Sequence, residues 1–290
     1  VTGVTAASGG LGVLIPPSLP MVMFAITVGT VSIDSMLTAG IIPGVLCGTA
    51  LMIYCYIYCK RHPVKIHCQQ ETMGIFESIK DGFWALMTPV VILGGIYSGL
   101  FTATEAAAVA CVYALIVSLF IYRTVTIKQL PGILLRAAGL NAPILIIVAA
   151  ATVLGRALAI QNVPEALAAA ILSITNSKWM IMLLLNILLL VVGMLMETLS
   201  AITILAPILM PVAMGVGVDP IHFGVIMVAN LAIGFITPPV GTNLYTAASI
   251  TGIPVKNLCK AIIGPVIALL IAQLFLVLIP QLSTFLPGLL

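Results

Sequence analysis

Two short segments of the chain combine paired prolines with glycine and with side chains that carry oxygen. They read "GVLIPPSLP" at residues 12–20 and "GFITPPVGT" at residues 234–242. Proline breaks a helix and lacks a backbone donor, so each break leaves helix-end carbonyl and N–H groups without partners. Carbonyls joined by hydroxyl or amide oxygens suit a small hard cation such as sodium, whereas N–H groups at a helix start suit an anion.

The candidate binding residues are the ten that give these two segments their character. They are Gly12, Pro16, Pro17, Ser18, Thr237, Pro238, Pro239, Gly241, Thr242 and Asn243. Three of them, Ser18, Thr237 and Thr242, carry the hydroxyls expected to bind sodium. A single segment of this kind would be better explained as a proline kink between packed helices, but two copies at matching positions favour a binding site.

Three more polar residues lie in apolar surroundings and are further candidates. Glu105 follows Thr102 and Thr104, which favours a capped helix N-terminus, with an ion path or a packing role as the alternative. For Glu197, structural hydrogen bonding and a place near the substrate path are equal alternatives. A single amide such as Asn230 favours interhelical hydrogen bonding over a binding role.

The composition is that of an integral membrane protein, since 62% of the 290 residues are apolar and only 7% are charged. Apolar runs of about 20 residues recur along the chain, which favours several α-helices across a lipid bilayer over a β-barrel. The net charge of +3 comes from short loops, so we expect no nucleic-acid partner. Neither a nucleotide-binding motif nor a HExxH motif occurs, so we expect no ATP-driven pumping, no enzyme activity and no cofactor beyond a coupling ion.

The sequence repeats itself weakly at an offset of 222 residues. At this offset the matching pairs are Gly12 with Gly234, Pro16 with Pro238, Pro17 with Pro239, Ala25 with Ala247, Ala39 with Ala261 and Pro43 with Pro265. Helix-breaking residues at corresponding places in two halves indicate a secondary transporter built from inverted repeats. Because the second copy follows a long apolar region and the first has fifteen residues before its prolines, we expect the first hairpin to lack part of its opening arm.

These features predict an all-α polytopic membrane protein with two re-entrant helical hairpins. The expected segments are an incomplete first hairpin and a span over 1–59, a cytoplasmic loop over 60–81, further spans over 82–178 that end in a surface helix over 162–178, and a second repeat over 179–290 with its hairpin at 220–251 and a last span at 254–280. The run over 180–215 would be about 54 Å long as a straight helix. It should therefore be tilted, or broken around Gly193, Pro207 or Pro211.

The basic residues predict which side of the membrane is cytoplasmic. Counting the spans places nine of them on one side, namely Lys60, Arg61, Lys65, Lys80, Arg123, Lys128, Arg136, Lys256 and Lys260. The other side carries essentially only Lys178. By the positive-inside rule the first side is cytoplasmic, and the two hairpins then enter from opposite faces.

Several stretches resemble the large membrane subunit of tripartite ATP-independent periplasmic (TRAP) transporters. They read "LGVLIPPSLPMV", "GLFTATEAAAVACVYALIV" and "APILMPVAMGVGVDPIHFGVIMVANLAIGFITPPVGTNLY", and the ten candidate residues match the hairpin-tip motifs of that family. The resemblance implies an elevator-type importer that carries organic acid anions, of the dicarboxylate or sugar-acid type, with sodium across the bacterial inner membrane. It also implies two partners, a small membrane subunit and a periplasmic substrate-binding protein.

Two other classes are the alternatives to a secondary transporter. A membrane-embedded enzyme needs a nucleophile or a metal constellation within the membrane, which the sequence does not offer. An ion channel needs symmetric rings from several copies of one pore segment, whereas two unlike proline-paired segments occur here in one chain.

Overall fold

The structure, a computed structural model, describes residues 2–61, 74–162, 166, 177–239 and 241–289. Within these residues every regular element is helical, as expected of an all-α protein. Six helical segments are long and apolar enough to cross a membrane, as a polytopic membrane protein requires. They are Ile33–Arg61, Ile79–Tyr97, Thr104–Ile121, Lys178–Leu195, Thr198–Gly215 and Val255–Leu278.

The helices follow one another with short connections. In chain order they are α1 (Thr2–Gly9), α2 (Leu19–Val28), α3 (Ile33–Ala39), α4 (Ile41–Arg61), α5 (Ile75–Tyr97), α6 (Ala103–Ile116), α7 (Leu130–Ile160), α8 (Lys178–Leu195), α9 (Thr198–Gly215), α10 (Pro220–Gly234), α11 (Thr242–Thr251), α12 (Val255–Leu278) and α13 (Gln281–Thr284). A 3-10 turn, Gly10–Val13, extends α1, and a π-helical turn, Val117–Ile121, extends α6. Two further 3-10 turns are Ile127–Gln129 and Pro287–Leu289.

The chain divides into two compact units. The first is Val1–Lys60 with Ile144–Leu290, and the second is Arg61–Pro143. In the second unit α5 packs against α6. Tyr113 of α6 and Tyr122, just after the π-helical turn, each donate a hydrogen bond to a backbone carbonyl of α5. The hydroxyl of Tyr113 donates to the carbonyl of Trp84 at 2.8 Å, which satisfies a polar group in apolar surroundings.

The centre of the first unit is α10. Every residue from His222 to Gly234 is buried, and α10 packs against α2, α3, α8, α9, α12 and α13. It begins as the sequence predicts, with Asp219 as N-cap and Pro220 at the first helical position. The Asp219 carboxylate accepts hydrogen bonds from the backbone N–H groups of Ile221 at 2.9 Å and His222 at 3.2 Å. A fixed and fully enclosed helix therefore leads into the second proline pair.

The long apolar run after residue 180 is broken, but not where the prolines lie. It forms α8 and α9, and the break falls at Met196, which is extended (φ −125°, ψ 155°), and at Glu197, which caps α9. Of the three expected places the break agrees with Gly193, which lies three residues before Met196, whereas Pro207 and Pro211 both lie inside α9 and those two alternatives are wrong. A carboxylate at an N-cap starts a new helix, whereas a proline within a membrane helix is tolerated when neighbouring groups satisfy the freed carbonyl.

Two segments expected outside helices are partly helical. Because α5 begins at Ile75, the last part of the predicted loop over 60–81 is helical, and 62–73 lies outside the described residues. Similarly, α7 begins at Leu130, within the basic segment predicted over 123–136. A capping box between Thr126 and Gln129 starts the helical path early, and Pro131 is acceptable in the first turn because its missing N–H is not needed there. The surface helix predicted over 162–178 lies almost entirely outside the described residues.

Both proline pairs interrupt the helical path, as predicted. Residues 14–18 separate the 3-10 turn from α2, and residues 235–239 with 241 separate α10 from α11. We call these segments the first tip and the second tip. The Pro16–Pro17 and Pro238–Pro239 peptide bonds are both cis. On either side of the second tip, α10 begins at Pro220 and α11 ends at Thr251, which are the two bounds predicted for the second hairpin.

Candidate ion and substrate site

The first tip is closed by the side chain of Ser18, the N-cap of α2. Its hydroxyl donates to the carbonyl of Val13 and accepts from the backbone N–H of Met21 at 3.4 Å, and the residue is only 2% exposed. A hydroxyl oxygen has two lone pairs, so one remains after these two bonds. Ser18 therefore fixes the loop and still offers one acceptor position.

The backbone of the first tip presents carbonyl oxygens. Within the described part of the chain, no donor reaches the carbonyls of Leu14, Ile15, Pro16 or Pro17. Leu14 and Pro16 are buried, whereas Ile15 and Pro17 are exposed. Since a buried carbonyl without a donor is costly, these oxygens are suited to a cation that supplies the missing interaction.

Gly40, at the junction of α3 and α4, borders the first tip. A Cβ atom at this position would lie 2.5 Å from the carbonyl oxygen of Leu14. Any larger residue would therefore displace the tip backbone. The sequence analysis did not select Gly40, because nothing in its local pattern distinguishes it from other glycines of membrane helices.

The second tip has a different arrangement of polar groups. The hydroxyl of Thr237 donates to the carbonyl of Ile233 at 2.6 Å, so both lone pairs of its oxygen remain available. Gly241 has φ +21°, and a Cβ there would lie 2.9 Å from the carbonyl oxygen of Thr237, so this close turn requires glycine. The hydroxyl of Tyr245 donates to the carbonyl of Pro239 at 3.3 Å.

The helix end that leads into the first tip lies beside the arms of the second tip within the first unit. A Cβ on Gly9 would lie 2.9 Å from Nδ2 of Asn243, and a Cβ on Gly10 would lie 3.3 Å from the carbonyl oxygen of Ala232. The end of α1 thus touches both arms of the second tip. Gly12 is exposed, and no atom lies within 4 Å of a Cβ built on it, so it faces open space.

The remaining candidate residues lie in or directly after the second tip. Pro238 is half-buried and Pro239 is exposed. Thr242 starts α11, and its side chain lies outside the described part of the structure. The backbone N–H of Asn243 donates to the carbonyl of Phe235 at 3.3 Å, which leaves its half-buried side chain beside Gly9.

The two carboxylate candidates cap helices. Glu105 closes a capping box with Thr102: its carboxylate accepts from the Thr102 backbone N–H at 2.8 Å and from the Thr102 hydroxyl at 2.9 Å. This confirms the capping role that its sequence context favoured. The carboxylate of Glu197 accepts from the backbone N–H groups of Leu199 at 2.9 Å and Ser200 at 3.1 Å. Structural hydrogen bonding is therefore the role observed for Glu197.

Asn230 belongs to a buried amide cluster, formed with Asn186 of α8 and Gln273 of α12. Its Nδ2 donates to Oδ1 of Asn186 at 2.6 Å and to the carbonyl of Ile226 at 3.0 Å. Nε2 of Gln273 donates to the same Oδ1 at 3.2 Å. This confirms the interhelical hydrogen bonding predicted for Asn230. The sequence analysis missed Asn186 and Gln273, although each is a single amide in an apolar run.

The amide cluster is not fully satisfied. Oε1 of Gln273 is buried and has no partner within the described residues. Three helices, α8, α10 and α12, are nonetheless joined by the cluster one turn before the second tip. The cluster therefore helps to hold α10, the helix that leads into the second tip and Thr237.

Comparison with known proteins identifies the family of this chain. The family described as "Tripartite ATP-independent periplasmic transporter, DctM component" matches residues 1–282, nearly the whole chain and both tips. The chain belongs to this DctM family. This match confirms the resemblance to TRAP transporter large permeases that the sequence predicted.

Individual relatives agree with this family. The chain is 42% identical over 287 residues to the "Isethionate TRAP transporter permease protein DctMQ" of Oleidesulfovibrio alaskensis, which covers 98% of this chain and 45% of that protein. It is 40% identical over 286 residues to the "C4-dicarboxylate TRAP transporter large permease protein DctM" of Pseudomonas aeruginosa, covering 99% of this chain and 67% of the relative. It is 39% identical over 287 residues to the "Sialic acid TRAP transporter large permease protein SiaM" of Vibrio cholerae, with the same two coverages, 99% and 67%.

These DctM-family relatives are named as permeases, which points to a transporter and away from an enzyme. The chain spans about half the length of the isethionate relative and two thirds of the other two.

Proposed function

We propose that this DctM-family chain carries the ion and substrate site of a sodium-coupled importer of organic acid anions in the bacterial inner membrane. The observation that carries the proposal is that the helix end leading into the first tip packs against both arms of the second tip. Among the described residues, no donor reaches four carbonyls of the first tip, and the second tip carries the Thr237 hydroxyl. Such discontinuous helices bind coupling ions through carbonyl and hydroxyl oxygens in secondary transporters.

Sodium is the proposed coupling ion. Its ligands would come from the carbonyl oxygens of the first tip and from the hydroxyls of Ser18, Thr237 and Thr242. The free lone pairs of Thr237 and the remaining lone pair of Ser18 support this assignment. A dehydrated cation is stabilised by several such oxygens at once, which is how the buried carbonyls of Leu14 and Pro16 would be satisfied.

The proposed substrate is an organic acid anion, held by the helix N-termini that follow the tips. The helix α2 starts two residues after the first proline pair and α11 starts three residues after the second, so the positive ends of both helix dipoles lie at the tip region. The N–H groups of Leu19 and Thr242, the first residues of the two helices, are the ones that would hold the anion. The relatives are named for isethionate, C4-dicarboxylate and sialic acid, all of which carry a sulfonate or carboxylate group. A backbone anion site is compatible with this range of substrates.

The proposed mechanism is elevator transport with two partners. One compact unit holds both tips and the other unit holds neither, which is the division that such a mechanism needs. The proposed partners are a small membrane subunit and a periplasmic substrate-binding protein. The basic loops would face the cytoplasm, and labelling introduced cysteines at residues 60–73 with an impermeant reagent tests this. Labelling from outside intact cells would contradict the orientation.

Uptake by the complete transporter tests the proposed function. The full-length subunit would be reconstituted in vesicles with its small subunit, and a carboxylate or sulfonate loaded on the binding protein would be supplied outside. We expect uptake that requires an inward sodium gradient and the binding protein. Equal uptake with potassium in place of sodium would refute sodium coupling, and uptake without the binding protein would refute the partner assignment.

A further inference from the structure

A long apolar groove separates α4 from α12 on the first unit. Its volume is about 510 Å³, and its lining residues recur three and four positions apart, from Leu46 to Ile57 on α4 and from Gly264 to Phe275 on α12. Each set forms one stripe of a helix. At about 1.5 Å per residue the stripe on α12 is about 16 Å long, which is close to half of a hydrocarbon core about 30 Å thick. The groove therefore has the length of one leaflet.

Tyr54 and Gly264 define one end of the groove. A Cβ on Gly264 would lie 2.6 Å from Cζ of Tyr54, so the aromatic ring packs directly on the α12 backbone. Tyr54 lies near the C-terminal end of the α4 stripe, and Gly264 is the first residue of the α12 stripe. The two helices therefore run antiparallel along the groove, and the end of α4 and the start of α12 lie at the same membrane surface.

Both stripes continue into basic residues beyond this end. On α4, Lys60 follows Ile57 by three positions, and on α12, Lys260 precedes Gly264 by four and Lys256 by eight. At helical spacing these residues extend the groove-lining faces. All three are exposed, so three positive charges surround the mouth of an apolar groove.

The aromatic residues beside the mouth mark the membrane surface. Tyr56 is 71% exposed and Tyr58 is 45% exposed, just before Lys60 and Arg61. Tyrosine with lysine or arginine at a helix end is typical of the interface between hydrocarbon and headgroups. The hydroxyl end of Tyr54 packs against Gly264 at the inner edge of this region.

We propose that this groove binds an anionic phospholipid, with one acyl chain between α4 and α12 and its phosphate among Lys60, Lys256 and Lys260. An acyl chain matches the apolar lining and the one-leaflet length, and the cations supply the charge that a phosphate needs. A transmembrane helix of a partner would extend across both leaflets and would leave the three cations without a counter-charge. The proposal depends on membrane insertion only and is independent of what the tips transport.

Native mass spectrometry of the purified full-length subunit tests the lipid preference. The protein would be titrated with phosphatidylglycerol and, in parallel, with phosphatidylethanolamine of identical acyl chains. We expect tighter binding of phosphatidylglycerol. Glycerol phosphate, which has the anionic headgroup without acyl chains, should not compete at equal concentration. Equal binding of the two lipids, or full competition by glycerol phosphate, would overturn the proposal.

Variants assign the lipid to this groove. Lys60→Gln and Lys260→Gln should each weaken phosphatidylglycerol binding about fivefold, since a lysine near the surface contributes about 1 kcal/mol. Lys128→Gln, an exposed lysine of the other unit, is the matched control and should change nothing. Ala268→Phe fills the groove and should weaken both lipids without altering the preference between them. The variant that combines Lys60→Gln with Lys260→Gln completes the set. If lipid binding is unchanged both in this double variant and in Ala268→Phe, the lipid binds elsewhere and the site is refuted.

Discussion

Gly193 of α8 and Gly234 of α10 pack backbone against backbone. A Cβ on Gly193 would lie 3.2 Å from the Cα of Gly234, and a Cβ on Gly234 would lie 2.5 Å from the Cα of Gly193. Small residues at a helix crossing allow this distance, and the gain is van der Waals contact along both helices. Because Gly234 is the last residue before the second tip, the crossing sets where that tip begins.

Gly234→Ala should destabilise the protein. The added methyl group has no room, and overpacking of this kind costs about 1–3 kcal/mol. A lower melting temperature of the purified subunit would show it. Gly94→Ala on α5 is the control, since no atom lies within 4 Å of a Cβ at that position, and its melting temperature should not fall. Equal melting temperatures for the two variants would contradict the close crossing.

Thr237→Val should weaken sodium coupling without unfolding the protein. It removes the hydroxyl of a second-tip residue but keeps the branched shape of the side chain. A hydrogen bond or ligand to a charged group contributes about 1.5–3 kcal/mol, so the sodium concentration for half-maximal uptake should rise about ten- to hundredfold. Thr237→Ser restores the oxygen and should restore the sodium response. A sodium response in Thr237→Val equal to that of the unaltered protein would remove Thr237 from the site.

Two substitutions separate the roles of Ser18. Ser18→Ala should lose the N-cap of α2 and cost about 1 kcal/mol of stability, whereas glycine replaces a cap with a loss of only a few tenths. If the hydroxyl also binds sodium, Ser18→Gly should keep the melting temperature and still need more sodium for uptake. Thermal unfolding and sodium titration of uptake, measured on the same preparations, check both parts. A Ser18→Gly variant with an unchanged sodium response would leave capping as its only function.

Glu105 should have no part in sodium coupling. Glutamine is also accepted in a capping box, so Glu105→Gln should transport with the same sodium dependence as the unaltered protein. Thr102→Ala removes the other half of the box and should cost about 1 kcal/mol of stability. A shifted sodium dependence in Glu105→Gln would show that the carboxylate lies on the ion path after all.

The amide cluster should behave as a unit. Oδ1 of Asn186 accepts from both Asn230 and Gln273, so Asn186→Ala should remove both interhelical bonds. A double-mutant cycle between Asn186 and Asn230 should give a coupling energy of about 0.6–2 kcal/mol in thermal unfolding. Strict additivity of the two single substitutions would mean that the observed 2.6 Å bond contributes nothing.

Local chemistry made some features predictable from the sequence. Asp219 before Pro220, and Thr102 three residues before Glu105, are caps whose partners lie within one helical turn, and both are observed. The proline pairs break helices for a reason that also depends only on neighbouring residues. The first residue of α10 and the last residue of α11 therefore agree with the bounds expected for 220–251.

Features set by distant contacts were not predictable in this way. The sequence offered Gly193, Pro207 and Pro211 as places for the break after α8 and did not choose among them. The break lies three residues after Gly193, where a carboxylate cap at Glu197 starts α9, and the helix accepts Pro207 and Pro211. Gly40 matters because Leu14, from another part of the chain, packs against it. Likewise Asn186 and Gln273 become a cluster only when α8 and α12 meet α10. The sequence shows each of these residues, but it does not show which residues from other helices pack against them.

The complete enclosure of α10 has a consequence for gating. A helix whose every residue from His222 to Gly234 is buried against six others has no free side on which to swing. A movement that uncovered the second tip would therefore have to involve α11. Among the described helices, α11 packs mainly against α1 and α12, and its Tyr245 is 48% exposed. The two arms of the second tip would thus behave differently: α10 would stay in place while α11 moves.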